Sequence, residues 1–252
     1  LVSIDTLPVR DKAQRSLLTQ LQTFGALTSK QAKAISRRAP QLLALFLTHA
    51  WIEKQHNVIP STQPKRVPMP TLNAEQADAV KSIVAGLHQF KTWLLYGITG
   101  SGKTEVYLQV IAAVLQQDRQ VLILVPEINL TPQLEKGFRD RFPTLSVICL
   151  HSKLNTTART QNWLLAQAGT ANIILGTRLS IFTPLPKLGL IIVDEEHDPS
   201  YKQQDGFRYS ARDVAIFRAK QAGVPIILGS ATPSLESYHN ALTGRYALLL
   251  LR

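Results

Sequence analysis

Trp93-Leu94-Leu95-Tyr96 runs into Gly97-Ile98-Thr99-Gly100-Ser101-Gly102-Lys103-Thr104, and that stretch runs into Glu105-Val106-Tyr107-Leu108-Gln109-Val110-Ile111. A short apolar strand, an eight-residue glycine-rich turn and an apolar helical run follow one another without a break, which is the context a phosphate-binding loop needs. Glycines let the backbone curl until successive amides point at phosphate oxygens. The N-terminus of the following helix adds its partial positive charge at the same place. Gly97, Ile98, Thr99, Gly100, Ser101 and Gly102 are therefore read as a nucleotide cradle. Lys103 is read as reaching the β- and γ-phosphates of ATP, and Thr104 as a ligand of Mg2+.

Outward from this loop, apolar runs recur at Val121–Val125, Val147–Leu150, Ile173–Leu175, Leu190–Val193 and Pro225–Leu228, with helix-length amphipathic stretches between most of them. Continuous apolar strands alternating with helices predict an α/β fold: a parallel sheet covered by helices on both faces. One of those strands, Leu190–Val193, delivers Asp194-Glu195-Glu196-His197 at its C-terminal end, where ligands of open α/β sheets sit. Asp194 is read as holding Mg2+ through water, and Glu195 as orienting and deprotonating an attacking water. An acidic pair after a strand is by itself more often a cap or a solvated turn; its pairing with a phosphate loop reverses that preference.

The first seventy residues read differently. Leu17, Leu18, Leu21 and Phe24 form a helical stripe closed by Gly25, Thr28 or Ser29 can cap a second short helix through Ile35, and a third runs from about Pro40 to Trp51. With the basic pair Arg37-Arg38, three short helices over residues 1–60 suggest a helix-turn-helix or winged-helix unit, or else a three-helix packing module without nucleic-acid contact. Four prolines between residues 59 and 70 predict a linker, bounded at 61–70, before a second domain over 71–252.

Composition sets further limits. The net charge is +11; residues 1–70 carry ten lysines and arginines against three acids, and residues 71–252 eighteen against fourteen. A basic surface suits polyanions such as DNA or RNA, or is a solvated face that aids solubility. No apolar run approaches the roughly 20 residues of a membrane span, and the N-terminus lacks the pattern of a signal peptide. Cys149 is the only cysteine, which excludes an internal disulfide and a cysteine-built zinc site and fits a reducing compartment. The chain opens on Leu1 rather than Met, as expected of a piece of something longer.

Phosphate loop and Asp-Glu-Glu-His together resemble the DExH helicases of superfamily 2, and further stretches fit that family in chain order. Leu72-Asn73-Ala74-Glu75-Gln76 resembles its upstream glutamine motif, which implies that Gln76 reads adenine. Val125 to Pro132 and Gly176-Thr177-Arg178 to Phe182 resemble its strand-contacting motifs Ia and Ib, and Gly229-Ser230-Ala231-Thr232-Pro233-Ser234 its motif III, which links nucleotide and DNA sites. Asp194-Glu195-Glu196-His197-Asp198-Pro199-Ser200-Tyr201-Lys202-Gln203-Gln204 is similar to the primosomal type of these helicases in particular. The resemblance covers all of 71–252 and implies a RecA-like first helicase lobe; the N-terminal unit resembles a winged-helix domain more loosely.

What the resemblance implies is an ATP-dependent 3′→5′ DNA helicase of bacterial replication restart, cytoplasmic and nucleoid-associated. It would act on forked or single-stranded DNA with other primosome proteins and single-stranded-DNA-binding protein, and with no membrane. Motifs IV to VI and the family's zinc-binding cysteines are expected beyond Arg252, and a 3′-end-binding domain before Leu1. The isolated chain is accordingly expected to be nearly inactive.

Pro199 to Arg212 interleaves Tyr201, Phe207 and Tyr209 with Lys202, Arg208 and Arg212. Aromatic faces stack on unpaired bases while the cations meet phosphates, and the segment begins directly at the carboxylates, so bound DNA can shift Glu195. Tyr201 or Phe207 is the expected base contact; the alternative is that Phe207 and Tyr209 anchor the loop on the core. The segment resembles the aromatic-rich loop of primosomal and RecQ-type helicases. Arg178 is read as a phosphate contact at a helix start or a surface arginine. His197, with Ser230 and Thr232 of motif III, is read as a relay between the sites or, alone, as a core histidine. Trp51, Trp163 and Cys149 are read as core. Two rivals share much of this pattern: a duplex translocase that does not separate strands, and a winged-helix regulator that uses ATP only as a switch.

Overall fold

The computed structural model describes residues 12–24, 27, 29–49, 51–52 and 71–252. It divides into two compact units, Leu1–Ser61 and Thr62–Arg252. The expected helix closure at Gly25, the cap at Thr28 and the proline-rich linker lie outside the described residues.

In the first unit the helices α1 (Lys12–Phe24), α2 (Ser29–Ile35) and α3 (Ala39–Thr48) stand near the expected places. Proline in the first turn of α3 leaves no intrahelical donor unmet there. Leu17, Leu18, Ala32, Ala39, Leu42 and Phe46 form the unit's core. Trp51 lies beyond α3 rather than on it. Its amide donates to the Phe46 carbonyl at 2.9 Å, and its half-buried ring stacks on His49 at 5.1 Å between centroids.

In the second unit the strands β1 (Thr92–Gly97), β2 (Gln120–Leu124), β3 (Val147–Leu150), β4 (Ile173–Gly176), β5 (Leu188–Asp194), β8 (Ile226–Ser230) and β9 (Ala247–Leu251) form one sheet in the order β3-β4-β2-β5-β8-β1-β9. Every pairing in it is parallel. Six of these strands coincide with the apolar runs of the sequence; β9 does not appear among them. Two-residue strands β6 (Lys202–Gln203) and β7 (Tyr209–Ser210) make a separate antiparallel hairpin.

Because side chains alternate across a strand, each strand feeds two cores. Leu95, Ile123, Ile192 and Ile227 face α4 (Ala74–Ala85), α5 (Lys103–Leu115) and α6 (Pro132–Arg141). Leu94, Leu122, Ile191 and Leu228 face α7 (Thr156–Gln167), α8 (Ala211–Ala222) and α9 (Leu235–Leu242). The expected helices on both faces are present. Cys149 is buried among the first set, and burial pushes its thiol up to about 12, the inert form of a core cysteine. Trp163 departs from expectation: it is 37% exposed, because α7 turns only Ala166 fully inward.

Strand order places the site. β8 lies between β1 and β5, and all three end on one edge of the sheet. Register pairs Tyr96 with Ser230 and Gly229 with Asp194, so the loop after β1 and the carboxylates after β5 are separated by one strand.

Candidate functional site

The phosphate loop closes on itself through the Ser101 amide, which donates to the Ile98 carbonyl at 3.1 Å. Gly100 and Gly102 hold φ of 86° and 85°, a left-handed conformation that side chains other than hydrogen resist. At Gly102 a Cβ would also stand 2.3 Å from Gln76 Nε2 and displace that side chain from the loop. Lys103 opens α5 and turns its ammonium back over the loop, donating to the carbonyls of Gly97 at 2.7 Å and Ile98 at 3.4 Å. Thr104 is exposed at the helix start, and the buried Ser101 Oγ has no partner among the described residues.

Gln76 is built into the loop's support. Asn73 caps α4 by accepting from the Gln76 amide, and the Gln76 side chain accepts from the Asn73 amide in return. Such a box is worth about 1 kcal/mol. The second end of the same side chain donates to the Ser101 carbonyl at 2.9 Å. Gln76 thus touches the phosphate loop directly.

Asp194 sits at the end of β5, half-buried, and its Oδ1 accepts from the Tyr107 hydroxyl at 2.9 Å. Burial raises its carboxyl above the usual value; the Tyr107 bond and the positive charge of Lys103 oppose that rise. The Lys103 effect ties the two halves of the site together electrostatically. Glu195 takes φ of 48°, left-handed for a residue with a side chain, at a cost of about 1–2 kcal/mol. Strain of this kind gathers at functional sites. Here the surrounding bonds hold it: the Glu196 amide donates to Gly229 at 3.0 Å and the Asp198 amide to Glu195 at 2.9 Å.

The last two residues of the acidic run are wired in different directions. His197 Nδ1 is 2.8 Å from Ser230 Oγ and 3.6 Å from Glu195 Oε2, and its Nε2 is 3.2 Å from Thr232 Oγ1. Both hydroxyls can donate or accept, so either ring tautomer is served. His197 therefore joins the carboxylates to the segment after β8, and is neither isolated nor a plain core histidine. Glu196, given no role from sequence, is 2% exposed. Its carboxylate accepts from the Ser234 amide and hydroxyl, the Ser237 hydroxyl and Arg212 Nη1. A buried acid satisfied four times is costly to disturb, since removing one member of such a pair costs about 3–5 kcal/mol. It fastens the acidic run to the start of α8 and the N-cap of α9.

The aromatic segment leaves Asp198, which caps a short 3-10 helix over Pro199–Tyr201, and continues into the β6–β7 hairpin. Here one expectation is corrected. Tyr201 is 2% exposed, and its hydroxyl donates to the carbonyls of Asp194 at 2.6 Å and Leu124 at 3.0 Å. A ring so enclosed has no face for a base; it is the bolt that holds the segment to the end of β5. Phe207, near the hairpin tip, is 78% exposed, with exposed Lys202 and Arg208 in the same hairpin. Tyr209 lies between Phe207 and Phe182, at 5.9 and 5.0 Å between centroids.

Arg178 is likewise not a free surface arginine. Its Nη1 donates to the carbonyls of Ser200 and Lys202, both at 3.1 Å, and its guanidinium lies beside the buried Tyr209 hydroxyl, the positive charge opposing the rise that burial gives the phenol. The guanidinium spans from the 3-10 helix over Arg178–Phe182 to the aromatic segment. Phosphate loop, acidic run, Ser230, Thr232 and Tyr201 come together at the strand ends. Phe207, Lys202 and Arg208 stand out on the hairpin.

Among the described residues no helix is long and apolar enough to cross a membrane, and no cluster of three or more His, Cys, Asp or Glu side chains could hold a metal. Mg2+ at a nucleotide needs a different set, hard oxygen donors with phosphates completing the shell. The exposed Thr104 hydroxyl, the Asp194 carboxylate within reach of the Lys103 charge, and the unpartnered Ser101 Oγ fit that need.

The family model described as DEAD/DEAH box helicase matches residues 73–241. Curated relatives are named "Replication restart protein PriA". The one from Chlamydia trachomatis is 54% identical over 186 residues, 72% of this chain and 24% of its own length. That from Haemophilus influenzae is 50% identical over 182 residues, 72% of this chain and 24% of its own. The Bacillus subtilis protein is 45% identical over 190 residues, 75% of this chain and 23% of its own. The chain thus spans about a quarter of the length of these relatives. Among solved structures, RecG bound to a three-way DNA junction aligns with 96% of this chain and 29% of its own, at TM-score 0.57 and 17% identity. The DUF1998 helicase MrfA bound to DNA covers 71% of this chain and 27% of its own, at TM-score 0.53 and 16% identity. At such identities these two speak for the fold alone.

Proposed function

The chain belongs to the DEAD/DEAH box helicase family, and from that premise we propose that it is the ATP-binding lobe, with an N-terminal winged-helix unit, of a 3′→5′ DNA helicase of replication restart. The observation that carries the reading is the Tyr201 hydroxyl bond to the Asp194 carbonyl: the segment suited to DNA is bolted to the strand that ends in the hydrolytic carboxylates. The names of the relatives support the replication-restart part.

In this reading ATP is the substrate and lies with its phosphates on the amides from Gly97 to Thr104, Gln76 supporting the loop and reading the adenine edge. Lys103 leaves the carbonyls of Gly97 and Ile98 for the β- and γ-phosphates. Thr104 directly, and Asp194 through water, would hold Mg2+, which would neutralise phosphate charge when bound. Glu195 orients the attacking water and takes its proton. His197, through Ser230 and Thr232, reports the state of that carboxylate to the segment after β8.

DNA acts through the hairpin. Phe207 stacks on an unpaired base while Lys202 and Arg208 meet phosphates, with Tyr209 supporting the ring from behind. Movement of the hairpin passes through Arg178 and Tyr201 to the Asp194–Glu195 peptide, whose left-handed Glu195 has a neighbouring conformation to relax into. A strand-displacement assay of the intact protein tests the direction of travel. Duplexes with a 3′ single-stranded tail are expected to be separated with ATP; equal separation of duplexes with only a 5′ tail would exclude the polarity. Movement on duplex without any separation would favour a translocase.

A further inference from the structure

Tyr107 lies one turn into α5 on its inward face. Its ring is 3% exposed, yet its hydroxyl reaches across the sheet edge to Asp194 Oδ1 at 2.9 Å. Room for that hydroxyl exists for one reason. Residue 229 is glycine, and a Cβ there would stand 1.6 Å from the Tyr107 hydroxyl oxygen, 2.8 Å from Cζ and 3.4 Å from Asp194 Oδ1. Register places Gly229 directly beside Asp194, and its carbonyl accepts the Glu196 amide. The helix after the phosphate loop, the carboxylate strand and the Gly229–Ser234 motif therefore meet at a single O–H···O contact.

We propose that Tyr107 is a positioning residue for the Asp194 carboxylate, and that residue 229 is glycine because this hydrogen bond needs the space. The proposal rests on the reading of Asp194 as holding Mg2+ through water, which makes the aim of its carboxylate part of the ion's outer shell. A carboxylate on a short side chain can turn about its last bond, and Mg2+ tolerates little departure from octahedral geometry. With Oδ1 engaged by Tyr107, the carboxylate plane is fixed before the ion arrives. Outer-shell partners of this kind typically change metal affinity about 10–100-fold when removed.

The test measures binding of fluorescently labelled ADP to the intact protein across a Mg2+ titration and again in EDTA. In Tyr107→Phe, which removes only the hydroxyl, the Mg2+ concentration at half-effect is expected to rise about 10–100-fold. ADP affinity in EDTA and the melting temperature are expected to stay near those of the parent. Gly229→Ala is expected to show the same displaced Mg2+ dependence if it folds, and adding it to Tyr107→Phe to raise the requirement no further. An unchanged Mg2+ requirement in Tyr107→Phe overturns the proposal, as does an equal loss of ADP binding with and without Mg2+, the mark of a merely structural ring. Asp194→Asn separates the two ideas. If it raises the Mg2+ requirement while Tyr107→Phe does not, positioning alone is wrong; if neither does, the Mg2+ reading of Asp194 fails with it.

Discussion

Lys103→Ala is expected to reduce ATP turnover of the intact protein by at least about a hundredfold, the cost of losing one preorganised donor to developing charge, while DNA affinity stays largely as before. The reasoning is local. Lys103 is the first residue of α5, its ammonium lies over the loop carbonyls 2.7 and 3.4 Å away, and its charge is felt at Asp194. Its hydrogen bonds stay within the phosphate loop, away from the Phe207–Arg208 hairpin. Steady-state phosphate release and a DNA-binding titration on the same preparation decide the matter. Retained turnover would remove the phosphate-loop assignment, and a parallel loss of DNA binding would mean that the lysine serves folding.

The second large effect divides the aromatic segment into two parts that sequence treats as one. Phe207→Ala removes an exposed ring and is expected to weaken single-stranded DNA binding by about 1–3 kcal/mol, roughly 5–150-fold. Tyr201→Phe keeps the buried ring and removes the hydroxyl that holds the carbonyls of Asp194 and Leu124. It is expected to leave DNA affinity near the parent value and to abolish most of the stimulation of ATP turnover by DNA. Alanine at Tyr201 would confuse the two, because emptying a site that is 2% exposed costs about 3–5 kcal/mol of stability on its own. Unchanged DNA stimulation in Tyr201→Phe would leave the segment structural.

Much of the second unit was legible because its signals are local. Six strands are uninterrupted apolar runs, and the glycine loop and acidic run each occupy consecutive residues. What escaped depends on where distant residues meet. Ala247–Leu251 is as apolar as any strand, but a short apolar run near a chain end cannot be told from a helix segment by periodicity alone; pairing with β1 makes it β9. Tyr201 and Phe207 look alike in a list of aromatics. Tyrosine, however, carries a polar end that a buried ring can spend on carbonyls, and that difference separates the bolt from the platform. Glu196 finds its partners at Arg212, Ser234 and Ser237, and the Tyr107 hydroxyl fits only because residue 229 lacks a side chain.

The same limit explains Arg178. A guanidinium after Gly-Thr suggests a phosphate contact, and its chemistry suits one, yet in the fold it binds two carbonyls of the aromatic segment. Both descriptions hold if DNA phosphate competes for the guanidinium, which would make Arg178 part of the coupling rather than a separate anchor.

In the proposed function, nucleotide hydrolysis answers to DNA through the hairpin and Tyr201. Its most direct measurement is ATP turnover by the intact protein with single-stranded DNA, forked DNA and no DNA, for the parent and Tyr201→Phe side by side. Turnover that rises with DNA in the parent, and barely rises in the variant at saturating DNA, is the expected result. Turnover equally fast without DNA, or equal stimulation in both proteins, would contradict it.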